Sequence, residues 1–171
     1  EFQNTRDHQL KVIRIIRKHR PEFVFIPYWD DRHPDHIRAS DLLRESAYYA
    51  GLAKIVTEDN GKAQTAFRPR RTIYCPARYQ FSKDAGTPFI VDITDTFAIK
   101  TQALEAFSSQ FYNPNYQSNE PQPFISTAEF RETIEARARY FGSLIGKKYG
   151  EIFLTREHFG IQDPIKLFRD Q

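Results

Sequence analysis

Cysteine is almost missing from this sequence. Cys75 is the only one, so no intrachain disulfide can form and no cysteine cluster can hold zinc. A lone thiol, expected to be buried, fits a reducing cytoplasm, and a cytoplasmic location is the expectation. Long apolar runs are missing too: no window approaches the roughly 18–20 continuous apolar residues that a membrane span needs. The opening stretch Glu1 to His8 is polar and acidic rather than basic then apolar, so no signal peptide is expected. Charge of one sign is scarce. Lys and Arg number 25 against 22 Asp and Glu, leaving a formal net charge of +3. That mildly favours anionic ligands and falls short of a nucleic-acid footprint. Repeats and low-complexity tracts are absent, and no convincing domain boundary shows.

What is present suits a single domain over 1–171 with one core: 171 residues, 40% hydrophobic and 27% charged. The fifteen Phe and nine Tyr read first as core material. Asn4 or Thr5 can cap a helix reaching Arg20, with Leu10, Ile13 and Ile16 on one face. Its basic run Arg17 to Arg20 sits near the negative end of the helix dipole. Pro21 stops it. Phe23 to Ile26 follows, a short apolar run bounded by prolines, the pattern of a strand buried on both faces of a parallel sheet. After the polar stretch Pro27 to His36, a second helix begins near Pro34. Ala39, Leu43, Ala47 and Ala50 mark its buried face, and Gly51 caps its end.

Arg71 to Cys75 and Phe89 to Ile93 are further strand candidates. A helix over 95–111 carries Phe97, Leu104, Phe107 and Phe111 on one side. Residues 112–125 read as a long surface loop. Ser126 with Glu129 forms a capping box for a helix repeating Phe130, Ile134, Ala138, Phe141 and Ile145. Ile152 to Leu154 is a last short strand. The order predicts an α/β fold with a Rossmann-like, mostly parallel sheet flanked by helices. Few strand candidates follow the first one, so the sheet reads as half present, its N-terminal strands absent from this chain.

In an open α/β sheet, ligands bind beyond the carboxyl ends of strands, where helix N-termini also point. His33-Pro34-Asp35-His36 lies at such a place. Two imidazoles three residues apart at a helix start can converge on one point, and Asp35 could orient a ring through its second nitrogen. Spacing alone leaves two readings open, a metal site and a helix cap with surface histidines. It also lacks the third ligand that catalytic zinc sites use.

Tyr28-Trp29-Asp30-Asp31-Arg32-His33-Pro34-Asp35-His36 closely resembles the second signature of the LmbE-like (PIG-L) N-deacetylases, nearest to the branch that deacetylates N-acetylglucosaminyl malate in bacillithiol synthesis. The likeness continues through Phe89 to Ile93, Lys100, Ser109-Gln110-Phe111, Glu135 to Gly142 and Tyr149-Gly150-Glu151. The resemblance implies a zinc-dependent hydrolase with His36 as a direct Zn2+ ligand. It makes His33 the group that stabilises the tetrahedral intermediate or protonates the leaving amine, and Asp35 the holder of its ring. Arg68 falls where the family places a substrate-binding arginine, which would suit a carboxylate-bearing substrate.

Two departures stand out. The family's first signature, His-Pro-Asp-Asp, which supplies the other ligands and the general base, does not occur. Residues 1–171 alone are therefore expected to be inactive, with a second copy (a homo-oligomer) or an N-terminal segment covering the sheet edge. Phe130 also stands where some relatives carry a mobile tyrosine, leaving Tyr28 or another donor for the oxyanion. A non-enzymatic α/β binding module stays open as the alternative. A nucleotide site is weaker because no glycine-rich loop precedes Pro34, and Arg68 to Arg71 is too short a patch for RNA.

Overall fold

The computed structural model describes residues 3–76, 87–112, 123–158, 160–163 and 165–166. The fold is α/β, a mixed sheet flanked by helices. Its described elements are α1 (Arg6–His19), β1 (Phe23–Pro27), α2 (Pro34–Ala50), β2 (Glu58–Asp59), β3 (Lys62–Ala63), β4 (Arg71–Cys75), β5 (Thr87–Asp92), α3 (Phe97–Glu105), α4 (Ala128–Leu144) and β6 (Gly150–Thr155). No described helix is long and apolar enough to cross a membrane. The chain groups into two compact units, Glu1–Phe89 with Phe153–Ile161, and Ile90–Ile152 with Gln162–Gln171.

In the first unit, Thr5 caps α1 by accepting from the His8 amide at 3.4 Å. Ile13 and Ile16 pack against Ala47 and Ala50 of α2, as their helical spacing predicts. Of the basic run read as a partner of the helix dipole, Lys18, His19 and Arg20 are exposed and Arg17 is buried. Arg17 is only 4% exposed. Its guanidinium donates to the carbonyls of Ala50, Leu52 and Ile55 and to Thr57 Oγ1, at 2.6–3.0 Å. A helix end leaves carbonyls without intrahelical partners, and the planar fork of an arginine can serve several of them together. Gly51 does end α2, but in a right-handed conformation (φ −81°). What calls for glycine is proximity: a Cβ there would lie 2.6 Å from Arg68 Nε.

β1 pairs in parallel with β4, from Phe23↔Arg71 to Pro27↔Cys75. β4 pairs antiparallel with β6 at Tyr74↔Leu154, and the strand order is β1-β4-β6-β5. The sheet is thus mixed rather than mostly parallel, and β1 lies at its end. The predicted burial on both faces is not found. Ile26 is 1% exposed, whereas Phe23 is 47% and Phe25 56% exposed. Successive side chains of a strand point to opposite faces. Val24 and Ile26 belong to the cluster with Tyr28, Tyr74, Leu154 and Leu43 of α2. Phe25 instead meets Phe153 edge-on at 5.5 Å, and Phe153 stacks on Phe89 at 5.8 Å. Cys75, expected to be buried, is exposed, because alternation from buried Tyr74 turns it to the face away from α2. β2 and β3 form a hairpin through Asn60 (φ 52°) and Gly61 (φ 74°), an Asn-Gly turn absent from the sequence expectations.

In the second unit, α3 stops at Glu105 instead of running to Phe111. The chain tightens there, with the Phe107 amide bonding to the Leu104 carbonyl at 3.0 Å. The cap of α4 is one residue later than predicted: Thr127 accepts from the Phe130 amide at 3.2 Å, while the Ser126 hydroxyl donates to the Gln110 carbonyl. Most of the predicted 112–125 loop lies outside the described residues. Ala138 and Tyr149 pack with Ile93, and Phe97 stacks on Tyr149 at 4.0 Å between centroids. The Tyr149 hydroxyl donates to Glu135 at 3.1 Å. Gly142 and Gly150 let backbones meet, since a Cβ on Gly150 would sit 2.7 Å from the Gly142 nitrogen. Much of the family-like sequence after residue 89 is therefore packing and pairing within this unit.

Candidate functional site

The site grows from the way β1 ends. The Tyr28 amide extends the ladder by one bond, to the Cys75 carbonyl at 3.2 Å. Tyr28 is 1% exposed and belongs to the core, so it does not stand as an open donor for an oxyanion. Trp29 packs against Tyr28 at 4.3 Å and against Tyr74 at 4.6 Å, with the Arg156 guanidinium 4.0 Å over its ring. These contacts pin the start of the polar loop, and α2 begins at Pro34, a residue suited to the first helical turn.

His33 is the N-cap of α2, its Nδ1 accepting from the Asp35 amide at 3.2 Å. His36 sits one turn on, with the two rings stacked at 4.9 Å and 25°. Asp31 ties the pair together. Its Oδ1 accepts from the His33 amide at 2.8 Å, and its Oδ2 lies 3.1 Å from His36 Nδ1. The Asp31 side chain is only 6% exposed, against 52% for His36. The Asp35 carboxylate accepts from Arg38 at 3.3 Å. His33, Asp35 and His36 lie together at the start of α2, but the contact from Asp35 to the His33 ring is made by its main-chain N–H rather than by the carboxylate brace expected from the sequence. Asp31 is the residue that the motif alone did not single out. An aspartate two residues before a helix-capping histidine is the signal that could have found it.

These contacts fix the chemistry that each ring can offer. An Nδ1 that accepts from a backbone amide carries no proton, so neutral His33 presents Nε2–H outward as a donor. His36, with Nδ1 against a carboxylate, presents Nε2 as the free lone pair. A carboxylate behind an imidazole is the usual support of a metal-ligating histidine. The donor set therefore suits one zinc ligand. Among the described residues no group of three or more His, Cys, Asp or Glu side chains is arranged to hold a metal ion.

Arg68 is not brought to this pair. Its guanidinium donates to the Tyr48 carbonyl at 3.1 Å and lies 4.2 Å over the Tyr48 ring. Tyr48 is near the far end of α2, roughly 18 Å along the axis from His36 at about 1.5 Å per residue.

No protein-family model matches the chain. It is 29% identical over 156 residues to a diacetylchitobiose deacetylase from Thermococcus kodakarensis. That alignment covers 88% of this chain and 51% of the relative, so the chain spans about half the length of the curated relative it matches. The conserved protein TT1542 from Thermus thermophilus shares the fold with a TM-score of 0.73 and 28% identity, over 94% of this chain and 63% of that one. N,N'-diacetylchitobiose deacetylase from Pyrococcus horikoshii gives 0.63 and 23%, over 98% and 58%. A 4-carboxy-2-hydroxymuconate hydratase from Pseudomonas putida gives 0.65 and 16%, over 93% and 62%. The last two likenesses are of fold alone. They join one fold to two reactions, so the site must decide between them.

Proposed function

We propose that this chain carries one part of a zinc-dependent N-deacetylase site, acting on the N-acetyl group of an N-acetylglucosamine conjugate. The observation that carries the reading is the stacked His33–His36 pair at the start of α2, braced by Asp31. Similarity to a diacetylchitobiose deacetylase supports it. His36 Nε2 is the atom assigned to the metal. Bound zinc would supply a Lewis acid and lower a water's pKa to about 7.

The resemblance gives His33 two roles, and its cap bond supports one of them. With Nδ1 accepting from Asp35 N–H, the neutral ring offers Nε2–H to negative charge developing on the amide oxygen. Delivering a full proton to the amine would need the imidazolium, whose Nδ1–H must give up that bond. We therefore assign His33 to the oxyanion. N-acetylglucosaminyl malate is the first substrate to test, on the sequence resemblance, with diacetylchitobiose beside it. The remaining ligands and the general base are assigned outside the residues described here. The open edge of β1 is assigned to a further segment or a second copy, because it ends the sheet and leaves Phe23 and Phe25 exposed.

The experiment measures bound zinc and acetate release, for residues 1–171 alone and for a chain that also carries a His-Pro-Asp-Asp segment. Only the longer chain should release acetate. In it, His36→Ala should lose most zinc, and His33→Ala should keep zinc while turnover falls about 10²–10³-fold, the usual loss for one oxyanion donor. Full zinc in the His36 variant would sink the ligand assignment. Acetate release by residues 1–171 alone would place the base among them.

A further inference from the structure

A cavity lies in the first unit, apart from the histidine pair. It encloses about 320 Å³, and among its lining residues are Arg44, Arg68, Arg156, Tyr48, Tyr74 and Glu157. Its charge is one-sided. Three guanidinium groups face one carboxylate, and that carboxylate is engaged elsewhere, Glu157 lying 3.1 Å from Arg71. Arg44 reaches Asp41 and Glu45 only at 3.5 Å. Among the described residues, neither Arg68 nor Arg156 has a carboxylate partner. Each is held by an aromatic face instead, Arg68 over Tyr48 at 4.2 Å, and Arg156 over Trp29 at 4.0 Å and Tyr74 at 5.7 Å.

Stacking of this kind orients a guanidinium without using up its in-plane N–H donors. The Arg68 fork spends one of these donors on the Tyr48 carbonyl. Arginine forks match the geometry of carboxylate and phosphate oxygens, which they bind in bidentate pairs. Tyr74 is 2% exposed, and burial pushes its phenol above the ordinary value, so it lines the cavity as a neutral group. An excess of positive charge, with Arg68 and Arg156 oriented by aromatic faces rather than by carboxylates, is the arrangement of a preorganised anion site.

We infer that this cavity binds a small dianion, a phosphate monoester or dicarboxylate group, at a site separate from His33 and His36. The inference does not depend on the deacetylase reading.

The test is calorimetric titration of the protein with inorganic phosphate and, separately, with succinate, sodium chloride holding ionic strength constant. At least one probe should bind saturably, and the one that does identifies the class of oxyanion. Arg68→Gln and Arg156→Gln should each weaken that binding by at least about tenfold, the loss of one charge-assisted bidentate contact. Far-UV circular dichroism checks that the variants fold. If Arg156→Gln fails to fold, Arg68→Gln and the exposed Arg44→Gln carry the same comparison. Saturable binding of neither probe would overturn the proposal, as would affinity unchanged in the folded variants.

Discussion

Removing the Arg17 guanidinium should loosen the segment after α2 more than any other single polar change in the first unit. Arg17→Met keeps an unbranched apolar stem of similar bulk and deletes every donor. Two of the four acceptors would keep a partner: Ala50 O also receives the Phe67 amide at 2.9 Å, and Leu52 O the Ile55 amide at 3.1 Å. Ile55 O and Thr57 Oγ1 would lose the arginine without such a replacement. A buried acceptor left unmade costs about 1–3 kcal/mol, which applies in full to Thr57 Oγ1 and less to the part-buried Ile55 O, so the pair predicts roughly 2–4 kcal/mol. Burial pulls the Arg17 pKa below its ordinary value, which means the charge itself is held at some cost and the lower half of that range is favoured. Domains of this size commonly have only about 5–15 kcal/mol in total. Urea unfolding followed by circular dichroism at pH 7 should show a lower midpoint at constant slope. Amide exchange should quicken over residues 50–57. Arg17→Lys should recover only part of the loss, because one ammonium cannot span three carbonyls and a hydroxyl. A loss below about 1 kcal/mol for Arg17→Met would refute this reasoning and leave Arg17 as a partner of the helix dipole alone.

Two further outcomes are expected. In the chain that also carries the His-Pro-Asp-Asp segment, Asp31→Asn keeps the bulk but removes the charge behind His36, and should weaken zinc binding by about 10–100-fold in competition with a chelator, while Asp30→Asn changes it little. Asp92 and Glu135 both sit below their ordinary carboxyl values, Asp92 chiefly through hydrogen bonds from Thr94, and Glu135 through those from Arg139 and then Tyr149. Because the folded values are depressed, their stabilisation is present above the unfolded pKa of about 4 and is lost as pH falls through the folded values. The double variant Asp92→Asn, Glu135→Gln should therefore flatten the decline of melting temperature below about pH 4, and an unchanged acid limb would contradict it.

The histidine site was legible because its determinants are local. A proline-bounded apolar run, a proline at the first helical turn and two histidines one turn apart fix position without long-range information. Local periodicity also marked core positions of α1 and α2 and, in α4, Ala138 and Phe141, whereas Ile145 falls just past that helix and is exposed. What could not be seen depends on partners distant in sequence. Arg17 reads as a partner of the helix dipole until Ile55 and Thr57 are beside it. Phe23 and Phe25 read as buried because an apolar run does not say whether a sheet continues past it. Arg68 follows the family's spacing, yet Tyr48 holds it at the other end of α2. Asn60-Gly61 is a turn signal, but strands of two residues each are too short to show a period of their own.

Trp29 is the only tryptophan in the chain, so the protein's indole emission has a single origin. That origin is crowded. Two phenol rings lie within 4.6 Å of it, close enough to pass on their excitation, and the Arg156 cation rests on its face. The indole also stands just ahead of the histidine loop in the chain and shares Arg156 with the cationic cavity. A ligand that lifts the guanidinium off the ring would change the colour or yield of the emission, and so would a shift of the loop when His36 is occupied. The molecule therefore carries its own optical probe at the junction of the two regions, and a fluorimeter can follow either event without a label.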